Sequence, residues 1–191
     1  MAASILYGLR VPLDASLCDP LCHDGVVPIE FGFASRGVSP RAFQERTLAS
    51  RFALRFDDPK TERHGFEPEV LALEQNANYL RRAEHNARLA GLSSFIEFSR
   101  YDLEWLDMRI GESSIERCVL ELPHRAAHTT DSSYERILED VRFAADHMLD
   151  DGELIVVTND PLVTFDGFVL DRRLVVPRGQ LALYAMAFRR A

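Results

Sequence analysis

The stretch VLALEQNANYLRRAEHNARLAG, residues 70–91, shows most clearly how the chain is built. It begins with four apolar residues, which are typical of a buried strand, and this run ends at the acidic residue Glu74. Apolar residues then recur at helical spacing over residues 78–89, and Gly91 is a favourable C-terminal stop for a helix. The stretch therefore predicts a strand, a turn and a helix in succession.

The same alternation of strands and helices continues on both sides of this stretch. Apolar runs predict strands at residues 16–18, 70–73, 95–98, 118–120, 154–158, 168–176 and 181–188. Helical spacing predicts helices at residues 2–9, 26–35, 78–89 and 133–149. Such βαβ units imply right-handed crossovers and a parallel sheet with helices on both faces. The last two strands, joined by a turn at Pro177-Arg178-Gly179, predict an antiparallel hairpin at or near one edge. The predicted fold is therefore α/β, Rossmann-like and doubly wound.

Length and composition restrict the function classes. The 191 residues are enough for one domain with a proper core. The net charge is −8, whereas a domain that held nucleic acid unaided would be expected to carry a basic surplus. Three cysteines indicate no disulfide framework, and no apolar run is long enough to span a bilayer. Since the N-terminus also lacks the features of a signal peptide, we expect a cytoplasmic protein without membrane contact.

Three acidic residues stand where such a fold binds a nucleoside cofactor. Asp19 ends the first predicted strand, Glu74 ends the second, and Asp102 follows the third. Ligands bind at the carboxyl ends of parallel strands, and an acidic residue after the second strand can accept both ribose hydroxyls. A nicotinamide enzyme would need a G-x-G-x-x-G pattern after the first strand, and that pattern is absent.

Two stretches carry a resemblance to a known family. The sequence DPLCHDGVVPIEFGFASRGVSP, residues 19–40, resembles the motif D-P-[FM]-C-G-S-G-T-[IL]-x-I-E-A-A of the RNA N2-guanosine methyltransferases, which often carry a THUMP RNA-binding domain. Residues 70–92 are similar to that family's acidic strand end and A-x-x-N-A-x-x-A-G helix. Residues 41–58 resemble the insertion found particularly in the branch that acts on 23S ribosomal RNA. The resemblance implies a class I methyltransferase fold, with one domain over residues 1–191 and an insertion at about 37–66.

The resemblance also implies a cofactor, S-adenosylmethionine (SAM), and the residues around it. The glycine loop would approach the methionine part of SAM, while the second acidic residue would hold the ribose and the third would contact adenine. The implied cofactor-binding residues are Asp19, Cys22, His23 and Gly25 in the loop, Glu74 at the ribose and Asp102 at the adenine.

The glycine loop departs from the family motif. Where the family has Gly-Ser-Gly-Thr, this chain has His23-Asp24-Gly25-Val26. A side chain at the first glycine position restricts the backbone angles and the space beside a ligand. The charge of Asp24 can either repel the carboxylate of the methionine part or pair with its ammonium group. Only the second glycine of the pair is kept.

The catalytic motif departs as well. The family's N-P-P-[YF] sequence accepts hydrogen bonds from the target amino group and stacks an aromatic ring on the base. The matching residues here are Glu121, Leu122, Pro123 and His124. The implied catalytic residues are Glu121 as acceptor, Pro123 through its carbonyl group and His124 as the stacking ring.

Two hypotheses from different classes follow. The first is a SAM-dependent methyltransferase of the RNA guanosine N2 type, in which the base amine attacks the methyl group in line and no metal is needed. Its acidic charge implies that a separate RNA-binding domain or a partner captures the RNA. The second is a catalytically inactive methyltransferase-fold module for binding or scaffolding, which the altered loop and catalytic motif favour. The sequence leaves the oligomeric state open.

Overall fold

A computed structural model describes residues 2–37, 69–101, 114–124, 131–149, 151–178 and 181–191. These ranges contain four helices: α1 (Ala2–Gly8), α2 (Val26–Ser35), α3 (Ala77–Leu89) and α4 (Asp131–Met148). They also contain seven strands: β1 (Leu17–Asp19), β2 (Val70–Leu73), β3 (Ile96–Ser99), β4 (Arg117–Glu121), β5 (Glu153–Thr158), β6 (Phe168–Arg178) and β7 (Leu181–Arg190). The predicted insertion lies almost entirely outside the described residues. Asp102 also lies outside them.

The seven strands form one sheet in the order β3-β2-β1-β4-β5-β7-β6. The first five strands in this order are parallel, β7 is antiparallel to β5, and β6 is antiparallel to β7 at the edge. This arrangement confirms the predicted doubly wound sheet with an antiparallel C-terminal hairpin. Along the chain, the sheet first grows outward from β1 through β2 to β3, and then restarts on the other side of β1 with β4.

Two apolar clusters cover the two faces of the sheet. Side chains alternate between the faces, so Leu154 and Val156 of β5 contribute to one cluster while Ile155 and Val157 contribute to the other. All six residues of β5 are buried, as expected for a central strand covered on both faces. The first cluster includes the buried side of α4, and the second includes residues of α1, α2 and α3.

Element boundaries differ from the predictions by at most two residues, and one turn is placed differently. Pro177 was expected in the turn between the last two strands, but it still pairs with Ala182, and Arg178 pairs with Leu181. The predicted turn at Pro177 is therefore wrong. Proline is compatible with a strand at the edge of a sheet, where its missing N–H group leaves no partner unsatisfied.

None of the helices in the described part of the chain is both long and apolar enough to cross a membrane.

Candidate functional site

The strand order reverses direction at β1 and β4, and this switch defines where a ligand can bind. In doubly wound sheets the loops that leave two such strands diverge, and the crevice between them lies at the carboxyl edge. Asp19 is the last residue of β1, Glu121 is the last residue of β4, and Glu74 directly follows β2. Because β2, β1 and β4 are adjacent and parallel, these three carboxyl groups lie at the same edge of the sheet.

Asp19 is buried at this edge, with 2% of its surface exposed. Its Oδ1 atom accepts a hydrogen bond of 3.2 Å from the backbone N–H of Leu21. Among the residues that the structure describes, no arginine or lysine forms an ion pair with it. Burial is the main cause that raises the pKa of Asp19; the Leu21 N–H opposes it and the charges of Glu74 and Glu121 add to it, and the net result is a pKa of about 8. The carboxyl group is therefore largely protonated at pH 7, and a cation beside it would favour its ionised form.

Glu74 is a buried carboxylate held by two backbone donors. Its Oε2 atom accepts from the N–H of His23 at 3.0 Å, and its Oε1 atom accepts from the N–H of Asn76 at 2.8 Å. These bonds connect the end of β2 to the loop after β1 and to the N-terminus of α3. An ionised carboxylate has about four acceptor sites, so each oxygen can still accept one more hydrogen bond. The arrangement suits two neighbouring hydroxyl groups.

The loop after β1 adopts a tight backbone conformation. The N–H of Cys22 donates to the carbonyl oxygen of Leu73 at 2.9 Å, and the N–H of Gly25 donates to the carbonyl oxygen of Cys22 at 2.7 Å. Both His23, with φ 48°, and Gly25, with φ 78°, lie in the left-handed region. His23 therefore takes a conformation that favours glycine, and this costs a residue with a side chain about 1–2 kcal/mol.

Gly25 also permits close contact between the loop and α3. A Cβ atom at this position would lie 3.0 Å from the Cβ atom and 3.3 Å from the Cα atom of Ala83. Because the space is filled and φ is positive, the second glycine of the family motif is needed for two separate reasons.

The side chains of His23 and Asp24 turn towards Glu74 and α3. The Nδ1 atom of His23 lies 3.6 Å from Glu74 Oε2, and its ring meets the ring of Tyr79 edge-on with centroids 5.7 Å apart. The Oδ1 atom of Asp24 lies 3.2 Å from Nε of Arg82. The imidazole therefore stands beside the candidate ribose carboxylate, and the charge of Asp24 is paired within the protein.

Three residues of α3 that brace the loop were missed by the sequence reasoning. The guanidinium of Arg82 lies 4.4 Å above the ring of Tyr79, and Nδ2 of Asn86 donates to the carbonyl oxygen of Asp24 at 2.9 Å. Positions 79, 82 and 86 are spaced three and four apart, so they share one face of the helix. That spacing was visible in the sequence, but it did not show that this face meets the loop.

Cys22 contributes its backbone to the loop, while its thiol packs in the core. The side chain is buried among apolar residues of the second cluster, and burial raises the pKa of the thiol. A thiol in such surroundings is inert.

The end of β4 holds the three residues expected to act on the substrate. The N–H of Leu122 donates to the carbonyl oxygen of Val157 at 2.8 Å, which continues the pairing of β4 with β5. Beyond that bond, Pro123 and His124 are exposed. The Nε2 atom of His124 lies 3.9 Å from Oε1 of Glu121, whose side chain is partly exposed. A carboxylate and an imidazole are thus open to the solvent at the switch point.

The expected adenine residue, Asp102, lies outside the described residues. Over the ranges that the structure does describe, no group of three His, Cys, Asp or Glu side chains is arranged to hold a metal ion.

Comparison with known families and proteins gives one match over most of the chain. The family model described as "RMKL-like, methyltransferase domain" matches residues 1–166. A tRNA (guanine(6)-N2)-methyltransferase of Methanocaldococcus jannaschii is 28% identical over 122 residues. The match covers 60% of this chain and 32% of that protein, so the chain spans about a third of the length of this relative.

Solved structures share the fold. TrmN from Thermus thermophilus matches with a TM-score of 0.69 and 19% identity, covering 100% of this chain and 48% of the other. An RNA methyltransferase from Salinibacter ruber, solved in complex with S-adenosyl-L-homocysteine, matches with a TM-score of 0.57 and 15% identity, covering 97% of this chain and 88% of the other. At these identities the likeness establishes the class I methyltransferase fold alone.

Proposed function

Because the chain belongs to the family of RMKL-like methyltransferase domains, we propose that it binds SAM at the carboxyl edge of the sheet and methylates the N2 amino group of a guanosine in RNA. The observation that carries the proposal is Glu74, a buried carboxylate whose two oxygens are oriented by backbone donors and can still accept hydroxyl groups. The Salinibacter ruber structure contains S-adenosyl-L-homocysteine on the same fold, which supports this cofactor.

The described residues fit SAM in both hydrogen bonding and charge. Glu74 has the free acceptor sites that the two ribose hydroxyls need. Asp19 is a buried carboxyl group without an ion-pair partner among the described residues, and it suits a ligand that brings positive charge. When bound, SAM supplies an electrophilic methyl group on a positively charged sulphur. We assign Asp19, Cys22, His23 and Gly25 to the loop beside the methionine part, and Asp102 to the adenine.

The residues after β4 face the nucleotide. Glu121 accepts a hydrogen bond from the exocyclic amine through a carboxylate oxygen, and Pro123 offers its carbonyl oxygen to the same group. His124 lies beside Glu121 and presents an exposed ring that can stack on the base. These contacts align the nitrogen lone pair with the methyl group, and such positioning accounts for most of the catalysis in this kind of transfer.

The substrate class is supported by the curated relative. The Methanocaldococcus jannaschii protein acts, by its name, on a guanine N2 atom in tRNA. This chain spans about a third of that relative and has a net charge of −8. A separate RNA-binding domain or a partner therefore captures the RNA, and the cytoplasm is the expected location.

Calorimetric titration with SAM and with S-adenosylhomocysteine tests the cofactor site. We expect micromolar binding by the unmodified chain and at least tenfold weaker binding by Glu74→Ala. Glu74→Gln retains one acceptor oxygen and the size of the side chain. It therefore keeps the test interpretable if the loop does not fold in Glu74→Ala. Glu69→Ala is the matched control, because Glu69 is an exposed residue at the opposite end of the same strand.

Unchanged affinity in folded Glu74→Ala and Glu74→Gln would contradict the site. If the unmodified chain bound neither ligand at millimolar concentration, the alternative of an inactive methyltransferase-fold module would replace the proposal. Where SAM does bind, transfer of a labelled methyl group to guanosine-containing RNA then tests the reaction.

A further inference from the structure

We propose that Arg82 is a positioning residue for the cofactor loop: it holds the Asp24 carboxylate against α3 and neutralises it, so that the pocket accepts the carboxylate of the methionine part. The inference rests on the proposed binding of SAM at this edge. It concerns two residues, Arg82 and Asp24, that the family motif does not explain.

Asp24 adds a negative charge to an edge of the sheet that already has an excess of carboxyl groups. Asp19, Glu74 and Glu121 lie at the carboxyl ends of three adjacent strands, β1, β2 and β4. Asp24 directly follows His23, whose N–H is bonded to Glu74. SAM carries a carboxylate on its methionine part, and like charges at close range in a partly buried site repel each other. An unpaired carboxylate at position 24 would therefore weaken binding of this part of the ligand.

Arg82 pairs with the charge of Asp24. Nε of Arg82 lies 3.2 Å from Oδ1 of Asp24, which is an ion-pair contact. That oxygen atom is buried and, within the described part of the chain, has no hydrogen-bond partner, so the attraction of Arg82 is electrostatic. The same guanidinium lies over the ring of Tyr79 at 4.4 Å, which restricts its orientation. On the other side, Asn86 holds the backbone carbonyl of Asp24 at 2.9 Å. Asp24 is thus held at its side chain and at its backbone by one face of α3.

The contact between Arg82 and Asp24 contributes more to ligand binding than to folding. The Arg82 and Asp24 side chains are 56% and 46% exposed, and ion pairs at that exposure contribute little to stability. Substituting a residue that only supports the fold would change the affinity for all ligands of the site equally. Substituting a residue that neutralises Asp24 should weaken binding only of ligands that carry a carboxylate.

The test compares two ligands on four variants. The ligands are S-adenosylhomocysteine and its decarboxylated analogue, which keeps the amine but lacks the carboxylate. The variants are Arg82→Ala, Asp24→Asn, the double variant, and Arg88→Ala as the control, which removes an exposed arginine from the same helix. Thermal unfolding checks that every variant is folded.

In Arg82→Ala we expect about three- to tenfold weaker binding of S-adenosylhomocysteine, and equal or tighter binding of the decarboxylated analogue, because a freed carboxylate repels an anion and attracts an amine. Asp24→Asn in the Arg82→Ala background should restore the affinity for S-adenosylhomocysteine. Arg88→Ala should resemble the unmodified chain.

The inference is overturned if Arg82→Ala weakens the binding of both ligands equally, or if its affinities equal those of Arg88→Ala. It is also overturned if the double variant does not regain affinity for S-adenosylhomocysteine. These results differ from failure of the proposed function, in which the unmodified chain binds neither ligand.

Discussion

At the scale of single residues, the candidate pocket departs from ordinary side-chain behaviour at two positions. Asp19 is a carboxyl group that burial keeps largely protonated at neutral pH. His23 holds a left-handed backbone conformation that only glycine adopts without strain. Both departures lie at the end of β1, where the cofactor is proposed to bind. Strain and perturbed pKa values concentrate at functional sites, and each of them can be measured here.

Replacing His23 by glycine should stabilise the free protein, whereas replacing it by alanine should not. Glycine relieves the left-handed strain, so we expect the glycine variant to be more stable than the alanine variant by about 1 kcal/mol. Alanine removes the same imidazole and its contact with Tyr79 but keeps the strain, so it is the matched control. Urea unfolding monitored by circular dichroism measures the difference. Equal stability of the two variants would show that the backbone at position 23 is not strained.

Binding of SAM by the same two variants separates backbone strain from steric obstruction. Both remove the imidazole from beside Glu74. If the ring obstructs the ribose position, affinity should rise in both variants. Unchanged or weaker binding would show that the loop has adapted to its histidine.

The raised pKa of Asp19 makes stability depend on pH. The folded protein keeps this proton up to about pH 8, whereas the unfolded chain loses it near its ordinary value of about 3.9. Between these values the folded state binds more protons than the unfolded state, so this carboxyl group reduces the free energy of unfolding as the pH rises from about 4 to 8. Asp19→Asn removes that dependence. We therefore expect it to be most stabilising, relative to the unmodified chain, at pH 8 and least stabilising near pH 4.

Thermal unfolding across that pH range checks the prediction, with Asp14→Asn as a control that removes an exposed carboxyl group. A stability difference between Asp19→Asn and the unmodified chain that stays constant with pH would show that Asp19 is ionised in the folded protein.

At the scale of elements, the C-terminal hairpin is attached to the sheet by charge as well as by apolar packing. Glu153, at the start of β5, is 4% exposed in its side chain and pairs with Arg117 of β4 at 3.3 Å and Arg189 of β7 at 3.0 Å. It also pairs with Arg172 of β6, which donates a further bond to the carbonyl oxygen of Leu9. One buried carboxylate thus connects four strands at the amino edge of the sheet, opposite the candidate site.

A β-bulge makes this contact available to β6. Leu170 pairs with Phe188 and Arg172 pairs with Ala187, so Asp171 has no partner of its own in β7. If the regular register had continued past Leu170, Asp171 would stand opposite Ala187 and Arg172 opposite Met186, with the side chain of Arg172 on the other face of the sheet. The bulge turns Arg172 to the face on which Glu153 and Leu9 lie.

Glu153→Gln should destabilise the protein by about 2–4 kcal/mol, because removing the buried carboxylate leaves the charges of its arginine partners without an opposite charge. The amide keeps the size of the side chain, so packing is preserved. Asp171→Asn is the control, since Asp171 is partly exposed and its pairs with Arg172 and Arg189 should contribute less than about 1 kcal/mol. Urea unfolding measures both variants. Equal losses from the two substitutions would contradict a special role for the buried carboxylate, and a change in SAM affinity would contradict its separation from the site.

At the scale of the whole molecule, the net charge and the share of the relative that the match covers both bear on where RNA would be bound. The net charge is −8, and several carboxyl groups lie at the edge of the sheet where we propose that the nucleotide approaches. The Methanocaldococcus jannaschii relative has two thirds of its length outside the match. A basic RNA-binding surface is therefore expected outside this domain, on a further domain or a partner, while the acidic crevice suits the positive charge of SAM.

The sequence by itself determined the order of strands and helices and the acidic residues at the strand ends. Those features depend on local sequence pattern: a short continuous apolar run for a strand such as β5, and apolar residues recurring at about 3.6 per turn for α3. It also indicated that Glu74 stands at the carboxyl end of a strand, because the apolar run before it ends there. These predictions needed no knowledge of distant contacts.

The tertiary structure alone decided how the candidate site works. The pKa of Asp19 depends on burial and on Glu74 and Glu121, which are distant in the sequence. The pairing of Asp24 with Arg82 depends on the packing of α3 against the loop, which the sequence does not show. Burial and electrostatic interaction are properties of residues brought together by the fold, so a linear pattern identifies the participants but not the interactions between them.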